Sequence, residues 1–192
     1  GCPIQPRYYT VTFDTCGGSL IYSQTVRENK KADRPAVDPV KEGYSFDDWY
    51  AESTYDTVWN FNIPITEDET LYARWTANTY RVTYDANGAT GGMSPSSQDK
   101  THDVALTLAA NSGNLVKTGY IFSGWNTVAD GSGTDYAEGS SNTLNAPLAL
   151  YAKWTAGTFT VGFDAQEGST PEPIFKTVTY GQIGRASCRE RV

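Results

Sequence analysis

Histidine is almost missing from this chain, with His102 alone among 192 residues. Without a second histidine or any Cys-x-x-Cys pair, neither a zinc cluster nor a Ser-His-Asp relay can be built. Cysteine is scarce as well, at three residues. No run of 18 or more apolar residues occurs, which excludes a membrane-spanning helix within this stretch. Basic residues number 15 against 22 acidic ones, and they form no stripe. That balance repels nucleic acid and anionic membrane surfaces. A phosphate-binding glycine loop and a nucleophile elbow are also lacking.

What the chain does have is aromatic side chains, with five Trp, thirteen Tyr and seven Phe. They are arranged as one phrase written twice. Its parts are first Tyr9-Thr-Val-Thr-Phe-Asp14, Gly43-Tyr-Ser-Phe-Asp-Asp-Trp49 and Leu71-Tyr-Ala-Arg-Trp-Thr76. They return as Tyr80-Arg-Val-Thr-Tyr-Asp85, Gly119-Tyr-Ile-Phe-Ser-Gly-Trp125 and Leu150-Tyr-Ala-Lys-Trp-Thr155. A third opening, Phe159-Thr-Val-Gly-Phe-Asp164, is not continued. The spacing is 71 positions from Asp14 to Asp85 and 79 from Trp75 to Trp154. Solenoid units repeat every 20–50 residues and cannot bury a core alone. Units of this length sit near the lower limit of independent folding. Small tandem domains are therefore expected, and what they repeat is core rather than acids, bases or metal ligands.

Within a copy, Tyr9, Val11 and Phe13 alternate with Thr10 and Thr12, the period of a half-buried strand. Cys16-Gly-Gly18 reads as a turn, and Leu20 to Val26 as the returning strand. In the second copy Asp85-Ala-Asn-Gly88 carries the Asn-Gly pair of a hairpin turn. Arg27 to Lys41 is polar and carries Pro35 and Pro39, leaving room for one short helical turn at most. Phe46 and Trp49 have opposite parity, as do Phe122 and Trp125. A one-residue bulge at Asp47-Asp48, and at Ser123-Gly124, would bring each pair onto one face. In the closing strand Leu71, Ala73 and Trp75 share the inner face. Four strands and little helix per copy make the fold class mostly β, α+β at most. The four tryptophans Trp49, Trp75, Trp125 and Trp154 are expected to be largely buried.

The two ends stand apart from the repeats. The chain opens at Gly1 without methionine and reads as an internal fragment. Ile183 to Val192 has no apolar period and resembles the in-frame translation of a short-read sequencing adapter. Without Arg185, Arg189, Arg191 and Glu190 the remainder carries 12 basic and 21 acidic residues, net −9 rather than −7. Cys188 goes with that segment, leaving Cys2 and Cys16. Two readings stay open: free thiols, or a disulfide worth about 3 kcal/mol by the chain-entropy model. The expected organisation is a fragment end or linker over 1–7, repeats over 8–76 and 79–155, a truncated third over 158–182, and the appended segment 183–192. That third copy encodes one hairpin, from Phe159 to Tyr180, and is expected to fray.

His102 lies in a polar stretch, Gln98 to Asp103, with no relay partner. Asp130-Gly-Ser-Gly-Thr-Asp-Tyr136 is similar to a calcium-binding turn, but calcium wants six to eight oxygens, and a glycine-rich turn is the simpler reading. Asp47, Asp48, Asp56, Glu67, Asp68 and Glu69 are acidic in the first copy. Paired carboxylates serve glycoside hydrolysis, yet Ser123-Gly124 replaces Asp47-Asp48 in the second copy, so these read as a solvated face. Trp59 follows Trp49 by ten residues, as Tyr136 follows Trp125 by eleven, which marks both as core rather than a sugar platform. No catalytic, cofactor-binding or metal-binding residue is assigned, and no cofactor is expected.

The succession Y-T-V-T-F-D, G-Y-x-F-x-x-W, L-Y-A-K/R-W-T, with the Trp125 to Thr134 stretch, resembles the Listeria–Bacteroides repeat, the family of the B repeats of internalin B. The resemblance covers two complete copies and the first third of another. The second copy departs from the pattern between Gly88 and Leu115, where it has an expanded loop and lacks the paired prolines. Membership implies tandem small β-grasp-like repeat domains with a reduced helix, in secreted or cell-wall-attached bacterial surface proteins and adhesins. It implies a non-catalytic spacer at the cell surface, whose partners are neighbouring repeats and domains of the same polypeptide. The alternative is a binding module that contacts a host-surface protein or a glycan.

Overall fold

The computed structural model describes residues 5–162, Gly168 and residues 175–181, and holds no helix among them. It divides into two compact units, Gly1–Thr79 and Tyr80–Val192.

The first unit is built on β1 (Tyr8–Asp14), β2 (Gln24–Arg27), β3 (Tyr44–Tyr50) and β4 (Glu69–Ala77). They form one sheet in the order β2-β1-β4-β3. The central pair β1/β4 is parallel, with Val11 opposite Glu69 and Phe13 opposite Leu71, and both flanking pairs are antiparallel. Alternation in β1 puts Val11 and Phe13 inside while Thr10 and Thr12 face out. They meet Val26, Ala32, Trp49, Ile65, Leu71 and Ala73 in a single core.

The expected bulge is present. Phe46 lies opposite Trp75 and Trp49 opposite Ala73, so three steps on β3 match two on β4. Phe46 thereby reaches both tryptophan rings, with centroids 5.5 Å away in each case.

One expectation is corrected in this unit. The returning strand is limited to Gln24–Arg27, and Leu20 and Tyr22 are 72% and 82% exposed. The cause is a competing partner: Ser19 N–H donates to Val40 O at 2.8 Å and Val40 N–H to Ser19 Oγ at 2.9 Å. That pairing draws residues 18–23 away from β1. The proline-bearing segment, which had room for one short helical turn at most, forms none. Its backbone groups pair elsewhere, through Asp33 with the Gln24 carboxamide and through Asn29 and Lys30 with Ile65.

The second unit holds β5 (Thr79–Asp85), β6 (Gln98–Thr101), β7 (Leu106–Thr107), β8 (Tyr120–Asn126), β9 (Asp135–Tyr136), β10 (Ser141–Asn142) and β11 (Leu148–Ala156). Its main sheet runs β6-β5-β11-β8-β9, again with a parallel centre, β5/β11, and β7 and β10 pair separately. The bulge recurs, with Phe122 opposite Trp154 and Trp125 opposite Ala152. The core gathers Val82, Tyr84, Leu108, Leu115, Trp125, Leu148, Leu150 and Ala152. The expanded loop after Gly88 is ordered by its own pairing, Gly91 with Val116 and Met93 N–H to Gly113 O at 3.0 Å. Gly92 has a φ of +81°, and a Cβ there would strike the Asn114 backbone.

The truncated third copy contributes β12 (Thr158–Gly162) and β13 (Phe175–Thr179), which pair only with each other. Phe159 and Phe175 stay exposed. The hairpin is nonetheless fastened at its base, where Gly157 N–H donates to Gly119 O and Tyr180 N–H to Gly157 O, both at 2.8 Å. Tyr180 also packs its ring on Tyr120, 5.4 Å between centroids. Cys2, Phe163 and Ile183 to Val192 lie outside the described residues, and with them the readings attached to those positions. Cys16 carries no disulfide.

Candidate functional site

The most organised polar feature in each unit is the clamp on the first turn. In the first unit Asp14 Oδ1 accepts Cys16 N–H at 2.8 Å, and Cys16 and Gly17 take φ values of +49° and +88°. In the second, Asp85 Oδ1 accepts Asn87 N–H at 2.7 Å, with Asn87 and Gly88 at +47° and +73°. An Asp side chain that bonds two residues on favours this turn, and Asn and Gly tolerate its left-handed backbone.

A tryptophan and a lysine then close on that turn. Trp75 Nε1–H donates to Thr15 O at 2.8 Å and Trp154 Nε1–H to Asn87 O at 2.9 Å. Of the four tryptophans expected to be largely buried, Trp49 and Trp125 are fully so, and Trp75 and Trp154 are half-buried because the indole edge faces the turn. Lys41 Nζ donates to Cys16 O at 3.1 Å and lies 4.6 Å from the Tyr44 ring centroid. Lys117 Nζ donates to Asn87 O at 3.4 Å and lies 5.2 Å from the Tyr120 ring centroid. Each lysine opens a turn closed by its tyrosine, Tyr44 N–H to Lys41 O and Tyr120 N–H to Lys117 O, with Gly43 and Gly119 at positive φ. Sequence reading passed over these two lysines. The signal was present as K-x-G-Y ahead of each F-x-x-W, but lysine is so often solvated that it drew no weight.

In the second unit the clamp borders a cleft of ≈ 240 Å³ lined by Asn87, Lys117, Tyr120, Asn126, Asp130 and Trp154 among others. One wall is the Trp125 to Thr134 loop, which Asn126 organises from a buried position. Its Nδ2 donates to Gly131 O, Gly133 O and Asp135 Oδ1, and its Oδ1 accepts Val128 N–H and Gly133 N–H. The Ser132 side chain first, and then its N–H, which donates to Asp130 Oδ1, hold the Asp130 carboxyl below the usual aspartate range. Lys153 Nζ at 2.5 Å, then Asn126, does the same for Asp135. The stretch that is similar to a calcium turn is thus a loop whose carboxylates serve local donors.

The remaining candidates are dispersed. His102 is 9% exposed, with Nδ1 3.0 Å from the Tyr80 hydroxyl and Nε2 3.3 Å from Asp103 Oδ2. Asp47 faces Arg74, Asp48 faces Arg34, Asp56 accepts from Thr54 and Asp68 from Thr10 N–H. Glu69 is raised by burial and then by the nearby Glu67 charge. These six carboxylates do not converge on a common point. Trp59 packs on the first core and Tyr136 on the second. Tyr55 is pushed up to about 12 by its hydrogen bond to Cys16, followed by burial. Among the described residues no three His, Cys, Asp or Glu side chains stand close enough to share a metal ion.

Two all-β units with the same order of four strands around a parallel central pair, the same bulge and the same clamped turn define a tandem repeat module. The chain belongs to the Listeria-Bacteroides repeat domain family, whose model matches residues 9–74 and 80–153. It is similar to a protein of Evansella cellulosilytica named "Putative membrane protein", 35% identical over 170 residues, 88% of this chain and 25% of that protein. It is also similar to Internalin H of Listeria monocytogenes, 36% identical over 152 residues, 77% of this chain and 25% of that protein. The chain thus spans about a quarter of the length of each relative.

Proposed function

We propose that this chain is a non-catalytic spacer in a secreted or wall-attached bacterial surface protein. In this reading residues 8–76 and 79–155 are complete repeats and 158–182 opens a third. The observation that carries it is that both units keep the clamped turn, the bulge and the paired tryptophans while their polar groups differ. Asp47-Asp48 against Ser123-Gly124, and Cys16 against Asn87, differ around an interior that keeps its tryptophans and its sheet, with Lys100 in place of Val26 as an exception. A strand order with a parallel central pair flanked by antiparallel neighbours supports a β-grasp-like unit that has lost its helix. Similarity to an internalin and to a protein named for membranes supports a place at the bacterial surface.

The test is exchange within the full-length surface protein. Replacing the first repeat by a second copy of the other should leave display of the neighbouring domains unchanged. The binding-module reading draws on the cleft beside Tyr120 and Trp154. Saturable binding of this chain to host cells or to a glycan array, lost on Tyr120→Ala, would replace the spacer reading with that one.

A further inference from the structure

Both units place a four-residue strand beside their opening strand, begin it on glutamine and bury its third residue. In β2 that residue is Val26. In β6 it is Lys100, which is 1% exposed. A lysine so deeply placed ordinarily faces a carboxylate, but among the described residues none forms an ion pair with it. Its Nζ donates instead to the carboxamide Oδ1 of Asn145 at 2.7 Å and to Thr101 O at 3.1 Å. The same Oδ1 accepts Asp103 N–H at 3.0 Å, and Asn145 Nδ2 donates to Asp103 Oδ1 at 2.8 Å. Asp103 reaches both ends of the amide from a φ of +56°.

Three groups therefore converge on one primary amide: an amine, a backbone donor on the oxygen and a carboxylate on the nitrogen. We propose that Lys100 and Asn145 become joined by an intramolecular isopeptide bond, formed by the folded chain itself with loss of ammonia. Nζ attacks Asn145 Cγ through its lone pair, which requires its unprotonated form. The new N–C bond forms as the carbonyl π pair moves to Oδ1, where the Asp103 N–H stabilises the developing charge. Once that bond has formed, Nζ shares Cγ with Nδ2, whose partner is Asp103 Oδ1 at 2.8 Å; only then does the carboxylate take a proton from Nζ and pass it to Nδ2 as the Cγ–Nδ2 bond breaks. Ammonia leaves, the carbonyl re-forms and Asp103 ends ionised as it began. One amine and one primary amide become one secondary amide and one ammonia, with no change of oxidation state and no co-reactant.

The fold supplies what this reaction lacks in solution. Reacting atoms must lie about 3–3.5 Å apart, and Nζ already stands 2.7 Å from Oδ1, the atom bonded to the carbon it must reach. The bond would tie the outer strand β6 to the segment entering the central strand β11. Nothing in this depends on the spacer reading, since it rests on the second unit alone.

Intact-mass spectrometry of the full chain is the first measurement, followed by trypsin digestion after denaturation. The expected result is a mass below that of the sequence by one ammonia, with a branched peptide linking residues 82–117 to residues 118–153. Asn145→Ala should show the full sequence mass and no branched peptide. Asp103→Ala should link markedly more slowly than the parent. A parent chain at full mass after prolonged incubation would overturn the proposal. So would an ammonia deficit without the branched peptide, which a succinimide at any asparagine would produce. Equal linking in Asp103→Ala would remove Asp103 from the reaction.

Discussion

Trp75 is half-buried yet it holds two elements at once, packing on Phe46 and tying down the first turn through its indole N–H. Trp49, fully buried against Phe13 and Phe46, does only the packing. The two should separate by mutation. Trp49→Ala is expected to cost about 3–5 kcal/mol, and Trp75→Ala somewhat less because part of its ring already meets water. Trp75→Phe keeps most of the packing and loses the hydrogen bond, a cost of about 1 kcal/mol. Urea denaturation of the three variants gives the ranking. Equal effects of Trp75→Phe and Trp75→Ala would mean that the hydrogen bond carries the whole contribution of the ring. A second residue-scale expectation follows from Lys153. Its bond to Asp135, with that from Asn126, holds the folded carboxyl below its unfolded value. The stabilisation is therefore present above the ordinary aspartate range and disappears only as pH falls through the depressed folded value. Lys153→Ala should move the Asp135 midpoint, read by NMR titration, upward toward that range. An unmoved midpoint would leave Asn126 as the sole cause.

At the scale of elements, the two copies reach one bulge by two routes. Gly124 needs a φ of +113°, and a Cβ there would approach Tyr136 O to 2.7 Å. The first copy fills the same place with Asp48, whose Oδ1 accepts Trp49 N–H and faces Arg34. Gly124→Ala is thus expected to cost about 1–3 kcal/mol through backbone strain, measured by chemical denaturation. A neutral result would show that β9 yields. The bulge was legible because parity is arithmetic: Phe46 and Trp49 are both large and apolar, and only an extra residue lets both face one core. Strands β1, β4, β5 and β11 were legible from alternation for the same reason. The shortening of the strand after Cys16 was not, because Leu20 and Tyr22 keep the alternation of a strand. What removes them is a hydrogen bond between Ser19 and Val40, 21 residues away. Lys100 was hidden likewise: its neighbours Asp99 and Thr101 are polar, and only the fold reveals that it stands where Val26 stands.

For the whole molecule, the decisive fact is where each core draws its residues. The first cluster takes side chains from Tyr9 to Trp75 and the second from Val82 to Trp154. Each closes around a parallel strand pair whose partners lie within its own unit, Val11 with Glu69 and Val82 with Leu148. A parallel pair brings together distant parts of the chain, so the loop-closure entropy is met before the contacts form. Formation is then all-or-none within a unit, since neither strand hairpin alone is more than marginally stable. Residues 1–79 and residues 80–192, expressed separately, should each therefore give a single cooperative thermal transition with near-UV signals from packed tryptophan. That transition should move to markedly lower temperature in the first on Trp49→Ala and in the second on Trp125→Ala. A gradual, non-cooperative melt of either piece would mean that its core is too small to stand alone.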